Sequence, residues 1–483
     1  MTKSVELTDK LRRLIFINIL ISVIASSMLS TALVTALPAV IRDFQIPVTT
    51  GQWISSGYTL TMGIMMPLTA FLITRFSTRR LYIFAILLFI VGLVICMLSP
   101  NFPIMMVGRV CQASGNGILT AMAQVILLSI YPPERKGTVM GWYGLSIGAA
   151  PVIAPTLAGL IVDSHSWRLI FLAALVIMMV SLIYALCVFK DVLDTRESRF
   201  DTASFALSVL AFGGITLGIG NIGGVGDARI SVILPLVVGI VTAVIFVRRQ
   251  LRSDEPFLEL RILKFHDYSV SVIGSMLLYF IMSGSTIILP IYVQMILGQS
   301  AVLSALVNLP GTLAMVIISP FAGKIFDKMG IKPLFLTGAI FTLVSNMAMV
   351  FISMHTSVWV VAAFNVVRYL AIGCLLTPLI TWGAGGLDKS LTAHATALLA
   401  SLRTVAGSIG AAVFVGIMTL AQNNAAARMG ENAPIHGMNV AFIWMAVFTV
   451  AMLLLAVFGV RRQKKIPTLA TDPLPPPDDE AIQ

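Results

Sequence analysis

The sequence predicts an all-α integral membrane protein with fourteen spans, and three observations carry that prediction. Only 11% of the 483 residues are charged while 58% are hydrophobic; a soluble domain carries about 25% charged residues. The apolar residues fall in blocks of twenty or more, long enough to cross roughly 30 Å of hydrocarbon. Lysine and arginine crowd into alternate segments between those blocks. Each span in lipid must satisfy its own backbone hydrogen bonds, so blocks of this length read as helices.

Taken in order, the polar segment 1–13 ends in "KLRR" and is followed by too long an apolar run for a cleavable signal. The first six spans are placed at 14–40, 51–74, 81–98, 103–130, 138–162 and 167–189, and form a bundle over 14–189. A linker, 190–267, opens with the charged stretch "KDVLDTRESRFD" and holds two extra spans, 202–221 and 230–247. A second bundle, 268–460, has spans at 268–296, 301–325, 332–354, 358–382, 392–420 and 437–460. The Pro-rich, acidic tail 461–483 reads as a disordered cytoplasmic segment.

With the N-terminus inside, the inner segments hold 25 of the 32 basic residues and the outer loops hold four. The remaining three, Arg109, Arg368 and Arg403, fall within spans. This bias places both termini in the cytoplasm. It also accounts for the net charge of +11 as membrane orientation and contact with anionic lipid, not nucleic-acid binding. The four cysteines lie within predicted spans, without metal-ligand spacing, and read as buried packing residues. No metal, cofactor or P-loop is expected.

Features recur along the chain. "AFLITRFSTRR", from Ala70, is followed 253 residues later by "GKIFDKMGIK", from Gly323. Arg109 is matched by Arg368, 259 residues on, and the loop around Glu134 by that around Asp388, 254 residues on. Two six-helix halves with two helices between them are a transporter architecture that works by rocking one half against the other.

Three motifs then carry a resemblance. "GKIFDKMG" fits the pattern G-x-L-A-D-R-x-G through Gly323, Asp327, Lys328 and Gly330; its first-half copy keeps Arg75 and Arg79 but has Thr74 for the acid. "RVCQASGNG" holds Arg109, Gln112, Gly115, Asn116 and Gly117, and "GLSIGAAPVIAPTLAG" holds Gly148, Pro151, Pro155, Ala158 and Gly159. Together they resemble the major facilitator superfamily, in its fourteen-spanner drug:proton antiporter branch, nearest to lincomycin-resistance-type exporters. The resemblance implies two six-helix bundles, no enzymatic activity, and gating by Arg75, Arg79, Gly323, Asp327, Lys328, Gly330, Gly148, Pro151, Pro155 and Gly159. For Asp327 two readings stand: a latch on a neighbouring helix N-terminus, or a solvated loop charge. The fifth-span pattern equally fits close helix packing.

Buried cations in a span cost at least ~2.5–3.5 kcal/mol and face a cavity or a partner. Arg109, Arg368 and Arg403 are therefore expected at a substrate cavity, or capping carbonyls between helices. Gln112, Asn116, Asn365, Tyr58, Tyr143 and Gln294 are expected to join them. Ser27 and Thr31 form part of a hydroxyl ladder that reads either as cavity wall or as helix packing with hydroxyls bonded back to carbonyls.

One element of the resembled pattern is missing. Its first helix carries an acid where this chain has Leu29, and no Asp or Glu falls in the interior of any span. Leucine carries no proton at any pH. The expected activity is efflux of small amphipathic compounds, neutral or anionic, by a monomer in the bacterial cell membrane, drawing on protons or another gradient. A lipid or cell-wall-precursor flippase of the same fold is the first alternative, and a transport-inactive sensor or scaffold the second.

Overall fold

The computed structural model describes residues 8–193, 201–222, 229–253, 256, 258–385, 387 and 389–460. The tail 461–483, most of the charged linker and Asp388 lie outside the described residues. Of Gly148, Pro151 and His394 only the helical backbone is described.

Among the described residues the long elements are all helices. The first six are α1 (Asp9–Phe44), α2 (Trp53–Arg75), α3 (Thr78–Leu98), α4 (Phe102–Ile130), α5 (Pro133–Ser164) and α6 (Arg168–Val188). Two more, α7 (Thr202–Gly220) and α8 (Leu234–Arg252), precede α9 (His266–Ile291), α10 (Ala301–Met329), α11 (Ile331–Val350), α12 (Val358–Gly385), α13 (Lys389–Met429) and α14 (Ala433–Leu454). Twelve stretches are long and apolar enough to cross a membrane, one of which, Ala395–Gly459, runs over both α13 and α14.

Polar residues set where the apolar runs begin and end. Thr8 accepts from Leu11 N–H at 3.4 Å to start α1, and Asn101 accepts from Ile104 N–H at 3.1 Å to start α4. Ser300 caps α10 through Leu303 N–H at 3.1 Å. Such caps replace the partners that the first turn of a helix lacks. Between α10 and α11 the chain turns at Gly330 with φ 75°, a left-handed conformation that favours glycine.

The helices pack as two six-membered groups with the same pairing. In the first, α1 lies on α5 and α6, α2 on α4, and α3 on α4 and α6; in the second, α9 lies on α13 and α14, α10 on α12, and α11 on α12 and α14. The two groups meet along α2–α13 and α5–α10, with α1 touching α9. α7 and α8 pair as a hairpin, and α7 lies across α2 and α13. Two ends of the bundle are named below by their acids: the Asp163 end, where α5 stops and α10 starts, and the Asp327 end, where α10 stops.

Buried polar groups stitch the first group together. Asn18 Nδ2 donates to Ser181 O at 3.0 Å, Ser181 Oγ to Asn18 Oδ1 at 2.8 Å, and Tyr82 O–H to the same oxygen at 3.2 Å. Ser22 Oγ lies 2.7 Å from the Tyr82 oxygen. At the Asp327 end, Arg79 donates to Leu186 O at 2.8 Å and its amide to Asp191 at 2.9 Å. Lys332, 253 residues on, likewise reaches Val460 O at 3.2 Å. Both cations sit on the last carbonyls of a helix, where its dipole favours positive charge. Arg79, expected at the gate, ties α3 to the end of α6 inside one half. The cysteine expectation is corrected, since Cys96 and Cys374 are buried but Cys111 is half-buried and Cys187 exposed.

Candidate substrate site

Arg109 sits on α4, 1% exposed, and its guanidinium is held by neutral groups. Nε donates to Ile54 O at 3.1 Å and Nη1 to Gln112 Oε1 at 2.8 Å. The guanidinium carbon lies 4.0 Å from the centroid of the Tyr58 ring, a contact worth about 2 kcal/mol when desolvated. None of the ion pairs among the described residues involves Arg109. A buried cation without a carboxylate keeps an uncompensated positive field around it.

From Tyr58 a chain of polar groups crosses three helices. Asn116 Nδ2 donates to the Tyr58 oxygen at 2.8 Å, and Thr120 Oγ1 donates to Asn116 Oδ1 at 3.2 Å. Tyr143, on α5, donates to Thr120 O at 3.3 Å. Thr120 and Met62, which also lies against Asn116, are half-buried. In the same part of α2 and α4, and at Gln52 just before α2, Gln52 Nε2 and Oε1, Ser55 Oγ and Gln112 Nε2 are buried without a hydrogen-bond partner among the described residues. Buried polar atoms of this kind take water or a ligand group.

Arg368 does not repeat this arrangement. Its Nη2 donates to Asn346 Oδ1 at 3.1 Å, Asn346 donates to Thr449 Oγ1 at 2.9 Å, and the guanidinium lies 5.2 Å from the Phe442 centroid. These partners are on α11 and α14, whereas those of Arg109 are on α2 and α4. The equivalence of Arg109 and Arg368 is therefore corrected. At the repeat offset of 253, Gln112 corresponds to Asn365, and Asn365 does face α10, donating to Asn308 at 2.8 Å. The same offset pairs Tyr58 with Gly311 and Asn116 with Tyr369. A Cβ on Gly311 would stand 2.5 Å from the Tyr369 ring. The tyrosine between these two helices is supplied by α2 in one half and by α12 in the other. Arg403, half-buried on α13, lies 4.9 Å from the Tyr279 centroid, and its Nε has no partner.

The seams between the halves hold further expected residues. Gly159 meets the start of α10 so closely that a Cβ would stand 2.8 Å from Val302 Cα and 2.9 Å from Ala301 O. One turn on, Asp163 accepts from Ala301 N–H at 2.9 Å and Val302 N–H at 2.8 Å. Its carboxylate thus caps a helix of the other half, where the dipole favours negative charge. Gln294 is at this end too: it donates to Thr35 O at 2.9 Å, while Arg42 donates to Gln294 O at 2.6 Å. Its expected place in the cavity is corrected to a bridge between the halves. Asp327, Lys328 and Arg75 are exposed and engage no partner among the described residues. Gly323 has open space where a Cβ would be, and Pro155 is half-buried on α5. The carboxylate-to-dipole contact expected of Asp327 is made by Asp163, at the opposite end.

Leu29 is 2% exposed and does not face Arg109. It lines an apolar crevice of about 130 Å³ with Ala25 and Ala32 of α1, Ala154 and Leu157 of α5, and Ile177 of α6. Leu157 and Ile177 are 44% and 41% exposed, so the crevice opens to the outer surface of the bundle. Thr31 donates to Met28 O at 3.1 Å, and Ser30 to Ser27 O at 2.9 Å. Of the ladder's hydroxyls, that of Thr31 is thus bonded back to its own helix. Ser27 and Thr31 nevertheless share a half-buried face with Ile24 and Val34. The Asn18–Tyr82–Ser181 cluster was not anticipated, although an asparagine inside an apolar block is itself a signal.

A family profile described as Major Facilitator Superfamily matches residues 19–411. The chain belongs to that superfamily. It is a transporter, not an enzyme, and a multi-pass protein of the plasma membrane. An uncharacterized superfamily transporter of Bacillus subtilis, YcnB, is 36% identical over 427 residues, covering 88% of this chain and 90% of that one. The lincomycin resistance protein LmrB of Listeria monocytogenes is 32% identical over 392 residues, covering 81% and 83% of the two chains. In fold, the chain matches a crystal structure of a POT family transporter with a TM-score of 0.69 at 17% identity, covering 93% and 96%.

Proposed function

We propose that this superfamily transporter exports small amphipathic compounds, with neutral or anionic molecules preferred over lipophilic cations. The observation that carries the reading is Arg109, buried on neutral partners and joined through Tyr58 to a polar chain that reaches the half-buried Thr120. A substrate carboxylate or carbonyl would find an unneutralised cation there, and a cation would find no acid. The relative's name, lincomycin resistance, supports drug export as the physiological class. All fourteen long helices are read as crossings, with both termini cytoplasmic, supported by the 25-to-4 distribution of basic residues. On that orientation the Asp163 end is the outer one, and the clamp there closes the halves to the outside. Alternating access would then break the Asp163 contact and engage Asp327.

The test is a susceptibility and transport panel with lincomycin, an anionic dye and a quaternary cation in wild type, deletion and Arg109→Ala strains. Arg109→Ala is expected to lower export of the anion about tenfold or more, the scale of a lost charged hydrogen bond of ~1.5–3 kcal/mol. Equal export of the anion by wild type and variant would overturn the reading. Everted vesicles treated with an uncoupler decide the energy source separately: proton drive predicts loss of uptake.

A further inference from the structure

Helix α8 is the least supported long helix of the protein. Only 11% of the most apolar window of the stretch 230–252 is buried. Its exposed stripe includes Val237, Val241, Val244 and Ile245, each about half exposed at 52%, 52%, 48% and 47%. At helical spacing the same face continues into Arg248 and Arg252, four residues apart. Arg248, Arg249, Arg252 and Ser253 line a cleft of about 380 Å³ at that end.

The three arginines are not alike. Arg249 is committed, its Nη2 donating to Asp201 Oδ1 at 2.9 Å, and its Nε to Asp201 Oδ2 at 3.2 Å and Ser204 Oγ at 3.1 Å. Arg248 and Arg252 are exposed and make no ion pair or hydrogen bond among the described residues. Two guanidiniums without a partner among the described residues stand directly below an apolar face of the length and position that acyl chains would cover. Guanidinium forks match phosphate oxygens bidentately.

We propose that Arg248 and Arg252 bind the phosphate of an anionic glycerophospholipid whose acyl chains lie along Val241, Val244 and Ile245. Charge complementarity selects the head group, and the exposed stripe selects a lipid over a soluble anion. Bound there, the lipid would cover the outer face of a hairpin whose inner face rests on α13 and α2.

Native mass spectrometry of the full chain in neutral detergent, with equal amounts of dioleoyl phosphatidylglycerol and dioleoyl phosphatidylcholine, tests the proposal. The wild type is expected to retain phosphatidylglycerol about thirtyfold over phosphatidylcholine, the factor that two surface arginines supply. In Arg248→Gln/Arg252→Gln that preference falls to near unity. Arg248→Lys/Arg252→Lys keeps the charge without the fork and retains part of it, so a loss in the glutamine variant is not a folding failure. Lys10→Gln/Arg13→Gln, which removes two exposed cations at the same end, leaves it unchanged. A glutamine variant with the wild-type preference would overturn the proposal. So would equal binding of the two lipids, or competition by millimolar inorganic phosphate, which would mark a free-anion site.

Discussion

The seams α2–α13 and α5–α10 occupy corresponding places in the two halves, but they are held together differently. Across α2–α13, Ser401 donates to Gly63 O at 2.8 Å and Ser408 to Ser56 O at 2.6 Å. α7 lies over that seam: a Cβ on Gly220 would meet Trp53 at 2.6 Å and Ala412 at 3.2 Å. Phe205 and Phe212 pack with Leu60, Ile64 and Val405. In α5–α10 the residues 253 positions before Ser401 and Ser408 are Gly148 and Pro155, neither with a hydroxyl. Among the described residues, that seam is joined at one end by Asp163 and Gly159 and has no covering helix. One seam is pinned at two levels and roofed; the other shows its fastening at the tip. A rocking motion that costs least would therefore bend at α2–α13 and part at α5–α10.

The comparison breaks most readily at Gly159. Gly159→Val places carbon against backbone that cannot give way, at an overpacking cost of about 1–3 kcal/mol. The seam should stand open at the Asp163 end, raising thiol-reagent access to a cysteine placed at Ala39 about tenfold and abolishing most transport. Asp163→Asn comes next. It leaves an acceptor for one amide but removes the charge that suits a helix N-terminus and one charge-assisted hydrogen bond, about 1.5–3 kcal/mol together, so access at the same reporter should rise a few-fold. Ser401→Ala and Ser408→Ala are smaller. Each removes a hydrogen bond worth about 1 kcal/mol from carbonyls already inside a helix, and α7 still covers the seam. If either serine variant opens the protein more than Asp163→Asn does, the ranking of the seams is reversed.

The smallest effect concerns the roof itself. Burial pushes the Asp201 carboxyl up, but hydrogen bonds from Arg249 and Ser204 outweigh it and hold the group at about 2. A depressed carboxylate stabilises the fold fully above its unfolded value near ~3.9, and the stabilisation fades as pH falls through the folded value. Hydrogen exchange in α7, corrected for its intrinsic rate, should therefore be flat from pH 5 to 8 and rise only below about pH 4. Asp201→Asn should remove that low-pH dependence.

The helices, their order and the repeat were legible because apolar length and basic flanks are one-dimensional signals. The facing of single residues was not. A span is apolar all round, and lipid is as apolar as a helix interface, so hydrophobic periodicity does not say which side looks inward. Leu29 illustrates this: its place in the motif pointed to the cavity, yet it packs in a crevice on the outer surface. Arg368 shows the same limit: its match to Arg109 rested on an offset of 259 where the repeat elsewhere runs at 253, and its partners are on α11 and α14. Asp163 lies just past the predicted span 138–162 and gives no signal there, because its role depends on amides brought from 138 residues away.

The exchanged tyrosines bear on how the two halves diverged. Tyr58 beside Asn116, and Gly311 beside Tyr369, fill the same space from opposite walls. A chain cannot move from one solution to the other by single replacements without passing through two rings or none. Two rings collide, with 2.5 Å where contact needs more; an empty slot costs about 3–5 kcal/mol for a lost aromatic but leaves the backbone in place. Of the two intermediates, the hollow one is the less costly to the backbone, and a half transplanted into the other register would inherit the gap or the clash.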